Sequence, residues 1–399
     1  MSTITLNNSD LSILLTKTLK NKKEKGIFFT PFSIINKLLI ILKKFKFKSV
    51  LEPSCGTGHF IEKIQSNYKV DITGIELEKD IFDKIEHLKN KDTKLINANF
   101  LKYQFTKKYD LIVGNPPFFT IKKKDVVNKE DCKYFEGRPN IFILFIIKSL
   151  TLLNKNGLIA FVLPSSFLNC IYFNKLRTEI YHNYKIINII DCSDDEFLDT
   201  KQNTILFIIQ NSKDNKNNSD FIIKSITKNN YYIYNTKENI VKINKLLDST
   251  KTLNELQFDV KVGSVVWNQC KDILSNDEKK TRLVYSTDIK NNKLSLTKYK
   301  NMDKKNYIDK KGLIDKQIVL NRGYGKNKYK LQYCFIDINN EYLIENHLIR
   351  IKYKQDYKKE IYDKIMKSFE NPKTKQFIEL YAGNNALNTT EIKYILPIY

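Results

Sequence analysis

From Ser49 onward, short runs of Ile, Val and Leu alternate with longer stretches in which apolar residues recur every three or four positions. The first pattern suits strands covered on both faces, and the second suits helices with one buried side. The strands predicted are Ser49–Glu52, Asp71–Glu76, Thr93–Ala98, Tyr109–Val113, Gly157–Leu163, Ile186–Asp191 and Thr204–Gln210. Helices fit between them at Phe60–Gln65, Lys79–Lys89, Ile141–Leu153 and Leu168–His182. Strands joined by crossover helices give a mostly parallel, doubly wound α/β sheet, here of seven strands. The polar stretch 211–219, NSKDNKNNS, reads as a surface loop. Beyond about Leu247 the alternation fades into Tyr-, Lys- and Asn-rich sequence, with turn signals at Asn291-Asn292, Gly323–Gly325 and Asn339-Asn340. The chain therefore divides into an α/β domain over 1–247 and an α+β domain over 248–399.

Size agrees with that division, since 399 residues exceed one ordinary core. The charge is less decisive than it looks. A net +24 points to a polyanionic partner such as nucleic acid. Yet arginine occurs only at positions 138, 177, 282, 322 and 350, and Asn, Ile, Tyr and Phe are abundant with Lys. Codons of an AT-rich genome supply that profile without any selection for DNA binding. The six cysteines are scattered with no C-x-x-C pair, and there are only four histidines, so neither a zinc site nor a disulfide framework is expected. Met1–Leu19 lacks the apolar region of a signal peptide, and the longest apolar run, Ile141–Ile147, is too short to span a bilayer. A soluble protein of the reducing cytoplasm is expected.

Chemistry concentrates where strands end. The first strand runs into Glu52-Pro53-Ser54-Cys55-Gly56-Thr57-Gly58. Ligands of open α/β sheets bind outside the carboxyl ends of the strands, and glycines there let the backbone turn and approach closely. At the end of the second strand, Glu76 is placed to accept hydrogen bonds from both hydroxyls of a ribose. The loop has G-x-G without a third glycine, so a nucleoside lacking a pyrophosphate fits better than a dinucleotide. After the third strand, Asn99 and Phe100 offer a polar contact and an aromatic face to an adenine. The fourth strand runs into Gly114-Asn115-Pro116-Pro117-Phe118. Two prolines fix the backbone there. The Asn115 side-chain oxygen and the Pro116 carbonyl can then accept both hydrogens of an amino group. That draws the nitrogen toward tetrahedral geometry and frees its lone pair for in-line attack on a methyl sulfonium. Phe118 supplies a face on which the target ring stacks, and no general base is required.

With Gly26-Ile27-Phe28-Phe29-Thr30-Pro31 ahead of the sheet, these motifs resemble the gamma-class (TaqI-like) adenine-N6 DNA methyltransferases of restriction–modification systems. The resemblance covers residues 24–212. It implies a Rossmann-like methyltransferase sheet followed by a C-terminal target-recognition domain, with S-adenosylmethionine as cofactor. Cofactor contacts are implied at Thr30, Glu52, Pro53, Ser54, Cys55, Gly56, Gly58, Glu76, Asn99, Phe100 and Pro117, and catalysis at Asn115, Pro116 and Phe118. The family often has Asp at the position of Asn99 and Tyr at that of Phe118. It places an aromatic at the position of Ile209, for which Phe207, on the same strand face, can substitute.

The substrate implied is an adenine flipped out of duplex DNA. Arg322, between glycines in NRGYGKNKY, is the candidate base contact. The partners implied are double-stranded DNA and a restriction endonuclease of the same specificity, with no membrane and with the chain itself a monomer. Two other readings stay open. One is an RNA adenine or guanine or protein glutamine N-methyltransferase, since these also carry Asn-Pro-Pro-aromatic. The other is a catalytically inactive nucleic-acid-binding scaffold.

Overall fold

A computed structural model describes residues 30–195, 203–214, 216–225, 231–299, 304–322, 331–382 and 387–399. The expectations placed on Met1–Leu19, on Gly26–Phe29, on Gly323 and Gly325, and on part of the closing segment lie outside them. The described residues fall into two compact units, divided between Ile240 and Val241. The division lies inside a helix, Lys237–Leu247, whose last residue is the boundary read from the sequence. Among the described residues, no helix is long and apolar enough to cross a membrane.

The first unit is built on seven strands: β1 (Ser49–Glu52), β2 (Asp71–Glu76), β3 (Thr93–Asn97), β4 (Tyr109–Gly114), β5 (Leu153–Pro164), β6 (Lys185–Asp191) and β7 (Thr204–Gln210). They form one sheet in the order β3-β2-β1-β4-β5-β7-β6. The pairings from β3 to β5 are parallel, and β7 runs antiparallel to both its neighbours. Successive side chains face opposite sides, and each side has its own core. Leu51, Ile112, Ile159, Phe161 and Phe207 belong to one, while Val50, Leu111, Val113, Ala160 and Leu206 belong to the other. Helices α1 (Phe32–Leu42), α2 (His59–Asn67) and α3 (Lys79–Ile85) cover the second face. Helices α4 (Ile141–Thr151) and α5 (Asn174–Asn183) cover the first. This double burial is why the strands read as unbroken apolar runs.

Several predicted bounds shift by one to four residues, and two of the differences have a cause in the structure. Strand β5 begins at Leu153 rather than Gly157, because Leu153 pairs with Tyr109 before a register shift and a left-handed Asn156 (φ 60°). The helix predicted over Leu168–His182 is broken into two 3-10 turns, Ser165–Leu168 and Ile171–Phe173, before α5. The cause is Arg177, which is fully buried. Its guanidinium donates to the carbonyls of Phe167, Asn169 and Cys170, at 2.9, 3.3 and 2.8 Å, and to that of Tyr232 at 2.8 Å. The Cys170 carbonyl also accepts from the Phe173 amide at 3.1 Å, a 3-10 bond, and the guanidinium contacts favour such turns over a continuous α-helix. Through Tyr232 the same residue fastens the hairpin of β8 (Ile222–Ser225) and β9 (Tyr231–Tyr234) to α5.

The second unit is α+β. Strands Phe258–Val262, Leu348–Tyr353, Gln317–Asn321 and Tyr333–Ile336 form one antiparallel sheet. Short strands Leu274–Ser275, Tyr307–Ile308, Thr281–Val284 and Tyr342–Ile344 form another. Helices Lys359–Glu370, Pro372–Ala382 and Thr389–Tyr394 close the chain, the last entered through a capping box of Asn388 and Glu391.

Replacing Arg177 by Met keeps bulk but takes the guanidinium donor from the Phe167 and Tyr232 carbonyls, while those of Asn169 and Cys170 keep the Tyr231 hydroxyl and the Phe173 amide. Each carbonyl left without a donor costs about 1–3 kcal/mol. Arg177→Met is expected to lower the stability of the first unit by about 2 kcal/mol or more, the sum for two such carbonyls, read from urea unfolding. An unchanged midpoint would refute the clamp.

Candidate active site at the carboxyl ends of the strands

The strand order reverses direction between β1 and β4, because chain order runs outward from that pair on both sides. The loops following those two strands therefore diverge and leave a crevice between them. Both carry the motifs singled out above. The loop after β1 is drawn onto β2: the Cys55 amide donates to the Ile75 carbonyl at 2.9 Å, and the Gly56 amide to Glu76 Oε2 at 2.8 Å. Gly56 and Gly58 both have positive φ, 53° and 78°. A Cβ on Gly58 would also stand 2.4 Å from Leu88 Cδ1, so conformation and space together require glycine. Across the crevice, Ser54 Oγ donates to the Asn115 carbonyl at 3.3 Å, tying the first loop to the start of the Asn-Pro-Pro-Phe segment.

A pocket opens among Thr30, Glu52, Ser54, Gly56, His59 and Asn115. Three segments far apart in sequence thus meet around one space. His59 was not singled out from the sequence. Its Nδ1 lies 3.4 Å from the Thr30 carbonyl and its ring 4.5 Å from that of Phe32, so it pins the segment ahead of α1 to the glycine loop. Burial lowers its pKa, which keeps the imidazole neutral. Asn97 was also missed; its Nδ2 donates to the carbonyls of Glu76 and Leu77, at 2.9 and 3.1 Å, and fixes the end of β2. Its position two residues before Asn99, at a strand end, was the available signal.

The electrostatics are set by two buried carboxyls. Glu76 accepts from Gly56 on one oxygen and from the Glu78 amide, at 2.9 Å, on the other. Burial raises its pKa, and these amides partly offset the rise. Glu52 is 1% exposed, and its Oε2 has no hydrogen-bond partner among the described residues. Burial, reinforced by the charge of Glu76, pushes its carboxyl well above the usual range. Burial likewise raises the Cys55 thiol, whose Sγ donates to the Glu52 carbonyl at 3.6 Å. The Cys55 side chain thus supports the loop as a neutral thiol.

The remaining predicted residues separate into those at the pocket and those in the core. Pro53 and Pro116 are buried, and Pro117 and Phe118 are half-buried, with the Phe118 ring edge-on to Phe142 at 6.0 Å. Asn99 Oδ1 accepts from the Leu101 amide at 2.9 Å, so it closes its own turn. Phe100 is 2% exposed, packed on Phe105 and Phe145 beneath Lys148. Phe207 and Ile209 do share a strand face, as expected, but that face is covered. Phe207 packs on Phe167 and Tyr234, and both residues lie in the hydrophobic core. Neither offers a face to a base, and their assignment as base contacts is not carried forward. Arg322 follows strand Gln317–Asn321 of the second unit, its amide bound to the His347 carbonyl at 3.0 Å.

Residues 9–198 match the family described as Eco57I restriction-modification methylase. The match is a likeness to the restriction–modification methylases over that segment. The chain is 27% identical over 396 residues to Type II methyltransferase M.CvrRI of Paramecium bursaria Chlorella virus XZ-6E, which covers 95% of each chain. It is 32% identical over 205 residues to Modification methylase CviBIII of Paramecium bursaria Chlorella virus NC1A, covering 49% of this chain and 52% of that one. It is 31% identical over 185 residues to Type II methyltransferase M.AccI of Acinetobacter calcoaceticus, covering 43% and 34%. The chain therefore spans nearly all of the first relative, but only about half and a third of the other two. Its fold is shared with a chain in the solved DrdV–DNA complex at 13% identity, with a TM-score of 0.56, covering 99% of this chain and 59% of that one.

The cofactor is S-adenosylmethionine, and the residues present fit it. Glu52 presents a buried oxygen that lacks a donor, and Glu76 keeps lone pairs beyond the two amides it accepts from. Two carboxyls with such needs suit a ligand that carries hydroxyl and ammonium donors and positive charge. S-adenosylmethionine supplies an electrophilic methyl group when bound.

Glu52 generates a pH prediction. Its folded pKa is raised, so between the ordinary glutamate value and the raised one the folded state holds more protons than the unfolded state. Wild-type stability therefore falls as pH rises through that window. Glu52→Gln removes this loss and is expected to raise Tm by a few degrees above the window and to leave it little changed below. The same variant should weaken cofactor binding by about tenfold or more, the scale of one charge-assisted hydrogen bond. Thermal melts across pH and calorimetric titration check both, and an unchanged Kd would remove Glu52 from the site.

Proposed function

We propose that this chain is a site-specific DNA methyltransferase of gamma-class arrangement, which transfers the methyl group of S-adenosylmethionine to N6 of an adenine flipped out of duplex DNA. The observation that carries the reading is the pocket shared by Glu52, Gly56 and Asn115, with Ser54 Oγ bound to the Asn115 carbonyl. It supports the reading because the Asn115 segment borders the residues that would hold the methyl donor. A nucleophile held next to an activated methyl needs alignment more than acid–base help.

In this reading the Asn115 side-chain oxygen and the Pro116 carbonyl accept the two hydrogens of the target amino group. Phe118 stacks on its ring, a contact worth about 1–3 kcal/mol. Thr30, Glu52, Pro53, Ser54, Cys55, Gly56, Gly58, Glu76, Asn99 and Pro117 line the cofactor. The unit from Val241 onward recognises the target sequence. Duplex DNA as substrate is supported by the restriction–modification family and by the relative matched along 95% of both chains, which is named a type II methyltransferase. A restriction endonuclease of the same specificity is the expected companion, and the methyltransferase acts as a monomer.

The test uses tritiated S-adenosylmethionine with duplex DNA, RNA and protein, followed by methylation-aware sequencing. Label in duplex adenine is expected; label in RNA or protein alone would overturn the DNA assignment. Asn115→Ala should slow transfer by at least about 10²-fold, the scale of losing one transition-state hydrogen bond. Cofactor affinity should hardly move. Undiminished turnover would sink the role of Asn115.

A further inference from the structure

We propose that Asn268 and Gln269 are specificity-determining residues that read base edges of the duplex, with an A·T pair as their target. The inference rests on the DNA reading above and goes beyond it by naming where sequence is read.

The two residues lie on a 3-10 turn, Trp267–Gln269, after strand Phe258–Val262 of the second unit. Both side chains are exposed, and among the described residues neither carboxamide has a hydrogen-bond partner. Several other carboxamides of this unit are already engaged. Asn306 accepts from the Tyr299 amide, Asn292 from that of Tyr333, Gln317 donates to Tyr342, and Asn371 and Asn388 cap helices. Two adjacent, outward-facing carboxamides with both donor and acceptor free are the groups that pair in bidentate fashion with adenine N6 and N7.

The turn is also held rigidly. The Gly263 amide donates to the Leu348 carbonyl at 2.9 Å, Val265 to Ile344 at 3.2 Å, and Asn346 to Val265 at 2.8 Å. A Cβ on Gly263 would meet the Glu345 carbonyl at 2.2 Å, so the segment reaches the neighbouring strand only as glycine. The Trp267 ring has Lys304 and Lys271 ammonium groups at 5.8 and 5.9 Å. Lys304 is itself 4.2 Å from the ring of buried Tyr285 and 4.7 Å from that of Tyr299. A reading element fixed in this way loses little entropy on binding. The Glu345–His347 turn that anchors it also holds, through the His347 carbonyl, the amide of Arg322.

The experiment compares wild type with Asn268→Ala, Gln269→Ala and Gln269→Glu, using methylation-aware sequencing of a randomised duplex library and kcat/KM on the preferred site. Each alanine variant should lower kcat/KM on that site by about 10–100-fold, the scale of one bidentate base contact. Preference should relax at one base position, with Tm and cofactor Kd unchanged. Gln269→Glu should move preference at that position toward cytosine, whose N4 amino group is a donor only. Unchanged site preference in all three variants, or a uniform loss across sequences, overturns the proposal while leaving the DNA reading intact. A wild-type protein that labels RNA or protein but no duplex overturns both.

Discussion

The hydrogen bond from the Gly56 amide to Glu76 is the contact on which the rest of the site depends. It holds the glycine loop against the end of β2 and so fixes where Glu52, Ser54 and Cys55 stand. The loop in turn sets the Asn115 segment through Ser54. The arrangement is costly to the protein alone, since two carboxyls are buried at apolar strand ends and one of them keeps an oxygen without a donor. Such a cost persists where a bound ligand offsets it. The burial of Glu52 therefore says more about the cofactor than the glycines do, because glycines also serve ordinary turns.

The sheet was legible because its strands are covered on both faces. Ser49–Glu52, Asp71–Glu76 and Thr204–Gln210 appear with the boundaries that the apolar runs predict. The order of the strands, and hence the meeting of the loops after β1 and β4, was legible only through the resemblance, since no local pattern encodes which strand ends are neighbours. What local pattern missed has local physical causes. Arg177 reads as one polar position on a helix, yet it captures the carbonyls that would have extended that helix. Phe207 is expected, through the resemblance, to stand in for an aromatic that packs on the target base, yet α5 and the β8–β9 hairpin belong to the core that covers it. His59 reads as a polar residue after a glycine loop, and only the fold brings the Thr30 carbonyl to it.

Charge deserves the least weight as a guide to recognition. Several lysines, such as Lys79, Lys89 and Lys237, are spent on exposed ion pairs that contribute little. Lysines at phosphates give affinity without sequence information, and a genome rich in A and T supplies them freely. Arginine is the usual reader of guanine, and here it is scarce and largely committed to structure. Arg177 is buried, Arg282 is tied to buried Asp288, and Arg350 lies beside Asp259. That leaves Arg138 and Arg322 among five, so guanine readout has few candidates. Carboxamides have many, because asparagine is abundant in the same composition. Under the proposed reading, such a composition favours recognition of adenine edges by Asn and Gln, through side chains that the fold has not already bound.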